Sequence, residues 1–147
     1  MRKRMQNASF LAALIFILAV NAVNAQQVQV KPVPGAKLVS LERLIPTATS
    51  QKIFFTAAVD PDCTPQNVPT LRTLLRPQHG TVDIADSEDY AYWQPPNIRE
   101  KCNDKKIKGL RISYKSDEGY TGDDKVIILA IYPDSTAQQY VFDIHVW

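Results

Sequence analysis

Leu110–Trp147 reads LRISYKSDEGYTGDDKVIILAIYPDSTAQQYVFDIHVW, and its patterning decides the fold. Leu110, Ile112 and Tyr114 alternate with Arg111, Ser113 and Lys115, the period-two signature of a strand with one wet face. A Gly- and Asp-rich turn at Ser116–Asp124 leads into Lys125–Tyr132, a nearly continuous apolar strand. Pro133-Asp-Ser-Thr136 makes the next turn, and the last strand, Gln138–Trp147, places Tyr140, Phe142, Ile144 and Val146 on one face.

The pattern extends upstream. Lys52–Val59 is rich in β-branched and aromatic residues and reads as a buried strand. Thr70–Arg76 and Thr81–Ile84 flank Pro77-Gln-His-Gly80, which reads as a hairpin with its turn at Gln78–Gly80. Tyr90–Trp93 is a short aromatic strand candidate closed by Pro95-Pro96. Lys37–Ile45 fits either two helical turns or an alternating strand, and Pro46 ends it in both readings. Short strands at roughly ten-residue spacing, with no long amphipathic helix, predict an all-β antiparallel sandwich over residues 50–147. Residues 26–49, where Pro32 and Pro34 interrupt alternating valines, are expected to form an extended N-terminal segment outside it.

Ahead of this domain, Arg2, Lys3 and Arg4 precede the apolar run Phe10–Val20 and the small, polar stretch Asn21–Ala25. That order predicts a cleavable signal peptide over residues 1–25, cut after Ala25 or the neighbouring Ala22, and hence a periplasmic or secreted protein. The apolar run is shorter than the roughly 20 residues that span a bilayer, so no membrane span is expected after cleavage. An outer-membrane barrel is disfavoured as well, because the face shared with Trp147 carries His145, Asp143 and Val141 and is largely polar.

Export changes the electrostatics. Three of the 17 Lys and Arg lie in the signal and all 15 Asp and Glu lie beyond it, so the full-length net charge of +2 becomes −1 in the mature chain. The long-range warrant for nucleic acid or anionic lipid is thereby removed. In an oxidising compartment the two cysteines, Cys63 and Cys102, are expected to form a disulfide closing a loop of about 40 residues, a constraint of order 4 kcal/mol.

Three stretches carry a resemblance: Pro77-Gln-His-Gly-Thr-Val82 (P-x-H-G-x-V), Leu110–Tyr114, and Gly119-Tyr-Thr-Gly-Asp123 followed by Val126–Tyr132. They resemble the bacterial immunoglobulin-like and cadherin-like modules, where P-x-x-G-x-V opens a hairpin and Y-x-x-x-x-G-[YF]-x-G-x-D precedes a late strand. Small secreted proteobacterial proteins with one such module often carry a cysteine before each of these elements, as Cys63 and Cys102 would here. The likeness covers residues 50–147 and implies an Ig-like sandwich used for adhesion, spacing or binding, with no catalytic residue to carry over. Gly80, Gly119 and Gly122 read as turn glycines with positive φ, and Tyr120 as a ring packed over the sandwich end.

The remaining candidates are few. Asp60 and Asp62 in one loop and Asp117, Glu118, Asp123 and Asp124 in another would converge on calcium if both loops met at one end of the sandwich, although their spacing is not that of an EF-hand. Solvated turn carboxylates are the plainer reading. His79 with Asp83 and Ser87 lacks a nucleophile-elbow context. Glu88 and Asp89, adjacent on a strand, point to opposite faces, so they make no glycosidase pair. Lys101, Lys105, Lys106 and Lys108 form a basic loop suited to solvent or to an acidic partner. Tyr90, Tyr92 and Trp93 form an aromatic strip that suits core packing or the face of a sugar ring. No cofactor motif is present. The expected function is therefore binding or structural support in the cell envelope through a protein or glycan partner, with a small hydrolase or an enzyme inhibitor as the alternative.

Overall fold

The computed structural model describes residues 30–147, and the expected signal segment, residues 1–25, lies outside them. Seven strands follow one another: β1 (Ala36–Ile45), β2 (Gln51–Thr56), β3 (Thr70–Leu75), β4 (Gly80–Tyr90), β5 (Lys106–Ser116), β6 (Gly122–Ile131) and β7 (Ala137–Val146). They form a four-stranded sheet ordered β1-β7-β6-β3 and a three-stranded sheet ordered β2-β5-β4. The all-β sandwich expected from the sequence is the observed architecture. Every pairing is antiparallel except β1 with β7, which run parallel from Ala36 opposite Ala137 to Ile45 opposite Val146.

Alternation explains how each strand sits. Ile112 and Tyr114 of β5 turn inward and are fully buried, facing Val126, Ile128 and Ala130 of β6 and Phe142 and Ile144 of β7 across the sandwich. Ile127 and Leu129 on the other face of β6 are also nearly buried, which is why this central strand reads as a continuous apolar run. Removing the side chain at Ile128 would cost about 2–5 kcal/mol. On the outer face of β7 the buried Gln139 accepts a hydrogen bond from the Val33 amide (2.7 Å) and donates one to the Lys31 carbonyl (3.1 Å). That amide satisfies two backbone groups of the chain crossing the sheet.

A second, smaller core lies beside the first, made of Ala57, Val59, Ala91, Cys102 and Ile107 with Phe55, Cys63 and Trp93 against it. The Cys63–Cys102 disulfide lies within it and ties the loop after β2 to the short 3-10 turn Glu100–Cys102 after β4.

Four sequence expectations are corrected. Residues 26–49 are not wholly outside the sandwich, because β1 pairs along its length with β7 and the domain begins by Ala36. This pairing also settles Lys37–Ile45 as strand. The expected hairpin around Gln78–Gly80 is instead a crossing between sheets, since β3 pairs with β6 and β4 with β5. Tyr90–Trp93 is not a strand of its own: β4 ends at Tyr90, and the Asn103 side chain takes the place of a partner strand, accepting from the Trp93 amide (2.9 Å) and donating to its carbonyl (3.0 Å). Gly80 does not adopt positive φ, whereas Gly119 and Gly122 do. Gly80 is required for space, because a Cβ there would stand 2.5 Å from the Lys115 carbonyl oxygen and 2.9 Å from the Tyr114 ring.

Candidate functional site

A concavity opens at the end of the sandwich where β2 runs out and the turn between β6 and β7 closes. It is a cleft of about 350 Å³. That lies within the range of small-ligand sites. Three segments build it: the end of β2 with the residues after it, the loop from Ala91 to Arg99, and the head of the β6–β7 hairpin.

Its inner wall carries a polar relay. Tyr140 Oη donates to Gln138 Oε1 (2.6 Å), and since that oxygen can only accept, the Tyr140 oxygen is left to accept a hydrogen bond from the Tyr132 hydroxyl (2.8 Å). Tyr132 in turn accepts from Thr56 Oγ1 (2.9 Å). The order Thr56 to Tyr132 to Tyr140 to Gln138 is thus fixed by its acceptor end. Burial, and then the neighbouring Tyr132, push the Tyr140 phenol well above its ordinary range, so Tyr140 stays neutral at physiological pH.

The outer wall carries charge and aromatic surface. Arg99 donates through Nε to the Val59 carbonyl (2.6 Å), which fixes the guanidinium plane and leaves both terminal amino groups without a hydrogen-bond partner among the described residues. Asp134 uses one oxygen, Oδ1, for both the Thr136 hydroxyl (2.6 Å) and the Thr136 amide (3.0 Å). Those two bonds, and more weakly the charge of Arg99, hold its carboxyl below the usual range. Tyr92 is 76% exposed although it lines the cleft, while Trp93 packs its ring partly into the second core. Gln66 completes the wall, its Nε2 tied to Asp60 Oδ1 (2.5 Å).

The aromatic strip read from the sequence is therefore divided. Tyr92 and Trp93 line the cleft, whereas Tyr90 lies outside the lining with Lys106 Nζ 5.7 Å above its ring. Lys101, Lys105, Lys106 and Lys108 are all exposed. Arg99, Asp134, Tyr132, Tyr140 and Gln138 were not singled out by the sequence. The inward phase of Tyr140 was readable, but nothing local marks Arg99 as sharing a cleft with Asp134.

The two carboxylate loops do not meet. Asp60 and Asp62 follow β2, whose last residue Thr56 pairs with Leu110, while Asp117 follows Ser116 at the other end of β5. Six residues of strand separate those positions, roughly 20 Å. Four of the six carboxylates also have local work. Asp60 holds Gln66, and Asp62 caps its own turn by accepting from the Thr64 amide (3.0 Å). Asp123 pairs with His145 at 2.6 Å. Asp124 is buried and accepts from the amides of Gln78 (2.9 Å), His79 (3.0 Å) and Lys125 (2.8 Å) and from the Tyr114 hydroxyl (3.0 Å). Among the described residues no group of three or more His, Cys, Asp or Glu is placed to hold a metal ion.

His79 stacks on Tyr120 with ring centroids 4.1 Å apart, and Tyr120 donates to the Asp123 carbonyl (2.8 Å). Asp83 and Ser87 lie along β4, four residues apart, and Asp89 is ion-paired with Lys52 (2.5 Å). His79, Gly80, Tyr114 and Tyr120, all from the motif stretches, thus interlock with the neighbouring Asp124 at the end of the sandwich opposite the cleft. No family model matches the chain, and no curated protein and no solved structure matches it either.

Proposed function

We propose that this chain is an exported, non-enzymatic Ig-like module that acts by binding in the cell envelope, and that its partner engages the cleft at the open end of the sandwich. The observation that carries the reading is Tyr92: a large aromatic ring left 76% exposed on the wall of a cleft that also presents Arg99 and Asp134. A ring in that position contributes little to folding and much to contact with a ligand.

The strand order supports the Ig-like part of the proposal. Lettered A to G along the chain, β2, β5 and β4 correspond to a B-E-D sheet and β3, β6 and β7 to a C-F-G sheet, with the first strand added beside the last. The disulfide differs from the antibody pattern, because it joins two loops and not the two sheets. Export and a periplasmic or secreted location rest on the residue order of the first 25 positions and on the chemistry of that disulfide. Binding is favoured over the hydrolase alternative because His79 is stacked on Tyr120 and Asp124 accepts four hydrogen bonds, which gives both residues a structural role.

The test is to immobilise the purified exported protein and screen glycans and peptides by surface plasmon resonance, alongside Tyr92→Ala and Arg99→Ala. The partner should be retained by the parent and lost by both variants. A partner held equally by all three would place the binding surface elsewhere.

A further inference from the structure

We infer that the cleft takes a neutral saccharide, one pyranose ring stacked on Tyr92 with its hydroxyl edge between Arg99 and Asp134. This deepens the reading of the cleft as the partner site and rests on it.

The ligand class follows from what the walls offer. A pyranose has an apolar face of C–H groups and an edge of hydroxyls, each of which donates one hydrogen bond and accepts others. Its recognition therefore needs an aromatic plane next to fixed donors and fixed acceptors. Tyr92 supplies the plane, and Trp93 lies beside it. Arg99 supplies donors, because its Nε bond to Val59 leaves the two amino groups oriented and unspent. Asp134 supplies an acceptor, because both Thr136 bonds fall on Oδ1 and leave Oδ2. Arg99 and Asp134 are held by bonds to their own chain before any ligand arrives, which lowers the entropic cost of binding.

Charge selects among saccharides. Arg99 and Asp134 line the same cleft with opposite signs, so a neutral hydroxyl edge can bridge them, whereas a uronate carboxylate that paired with Arg99 would also meet the charge of Asp134. The inner wall, from Thr56 to Gln138, is uncharged. A cleft of about 350 Å³ has room for a sugar ring.

The experiment is calorimetry and tryptophan fluorescence on the purified exported protein with cellohexaose, maltohexaose, mannohexaose, chitohexaose (N-acetylated) and oligogalacturonate. The protein has two tryptophans, so Trp147→Phe leaves Trp93 as the sole reporter inside the cleft. At least one neutral hexamer is expected to bind about tenfold or more tightly than oligogalacturonate and to shift Trp93 emission, with affinity falling about tenfold in Tyr92→Ala. Tyr90→Ala, outside the lining, should bind as the parent does. Preference for oligogalacturonate, or no binding of any neutral hexamer at millimolar concentration, overturns the saccharide assignment. The cleft reading survives either result if another ligand is lost on Tyr92→Ala, and it fails if saccharide binds equally to the parent and to folded Tyr92→Ala.

Discussion

Tyr132 donates to the Tyr140 hydroxyl across 2.8 Å at the head of the β6–β7 hairpin, and the direction of that bond is set by Tyr140 donating onward to Gln138. The pair joins structure to site: the same rings that pack under Thr56 form the inner wall of the cleft. The Tyr140 ring also meets Phe54, centroids 4.5 Å apart, so the relay is anchored in the main core.

Tyr140→Phe keeps that packing and removes the middle of the relay, leaving Tyr132 and Gln138 each short of a partner. The expected cost is about 1–3 kcal/mol in urea unfolding with an unchanged denaturant slope. The phenols of Tyr140 and Tyr114 are both raised, first by burial. Their folded values thus exceed the unfolded one, and their contribution is intact below about pH 10 and lost as pH climbs further towards the folded values. Stability measured between pH 8 and pH 11 should fall at the alkaline end, less steeply in Tyr140→Phe.

Asp124 is the corresponding anchor at the opposite end. Replacing it with Ala strands the Gln78 and His79 amides, which then need water, and leaves the buried Tyr114 hydroxyl only its longer bond to the His79 carbonyl (3.2 Å). A loss of about 3–5 kcal/mol is expected, and Asp124→Asn, which retains one acceptor oxygen, should lose less. Chemical denaturation of both variants checks the order. Equal stability of Asp124→Ala and the parent would show that the crossing from β3 to β4 is held by packing alone.

Much of this was legible in the sequence because a period of two reports which face is buried. Tyr140, Phe142, Ile144 and Val146 were readable as one inner face, and Ile112 and Tyr114 as another. The same period does not name the neighbouring strand. Thr70–Arg76 and Thr81–Ile84 therefore looked like a hairpin although they belong to opposite sheets, and β1 gave no sign of pairing with a strand about a hundred residues away. In the cleft, Tyr92 and Trp93 announced themselves by composition. Arg99 and Asp134 share a lining only because a loop fastened by Cys102 is carried over the end of β2, a placement with no local signature.

His145 sits 2.6 Å from Asp123 on the solvent side of β7, and its imidazole is raised above the usual histidine range, chiefly by that hydrogen bond. A raised value means that whatever the pair contributes is present below the unfolded pKa of about 6.5 and is lost as pH rises through the folded one. Proton NMR of the imidazole should give a midpoint above that of a free histidine, and Asp123→Asn should bring it back. Both groups face water, so the unfolding midpoint should hardly change. An unshifted titration in the parent would remove the pair.

The Cys63–Cys102 bond closes 39 residues of chain, including β3 and β4, and its sulfurs lie in the small core under Trp93. In the chain-entropy view, opening such a loop costs about 4 kcal/mol. Cys63→Ala/Cys102→Ala should therefore unfold at markedly lower urea concentration. The effect should be uneven, because β5, β6 and β7 hold the main core without the disulfide, while the loop carrying Tyr92, Trp93 and Arg99 depends on Cys102 for its position. Hydrogen exchange on the double variant is expected to show residues 91–105 losing protection before β6 and β7 do. Intact mass of the parent should rise by two alkyl groups only when reduction precedes alkylation. Uniform loss of protection across both sheets would mean that the cleft loop and the main core open as one unit.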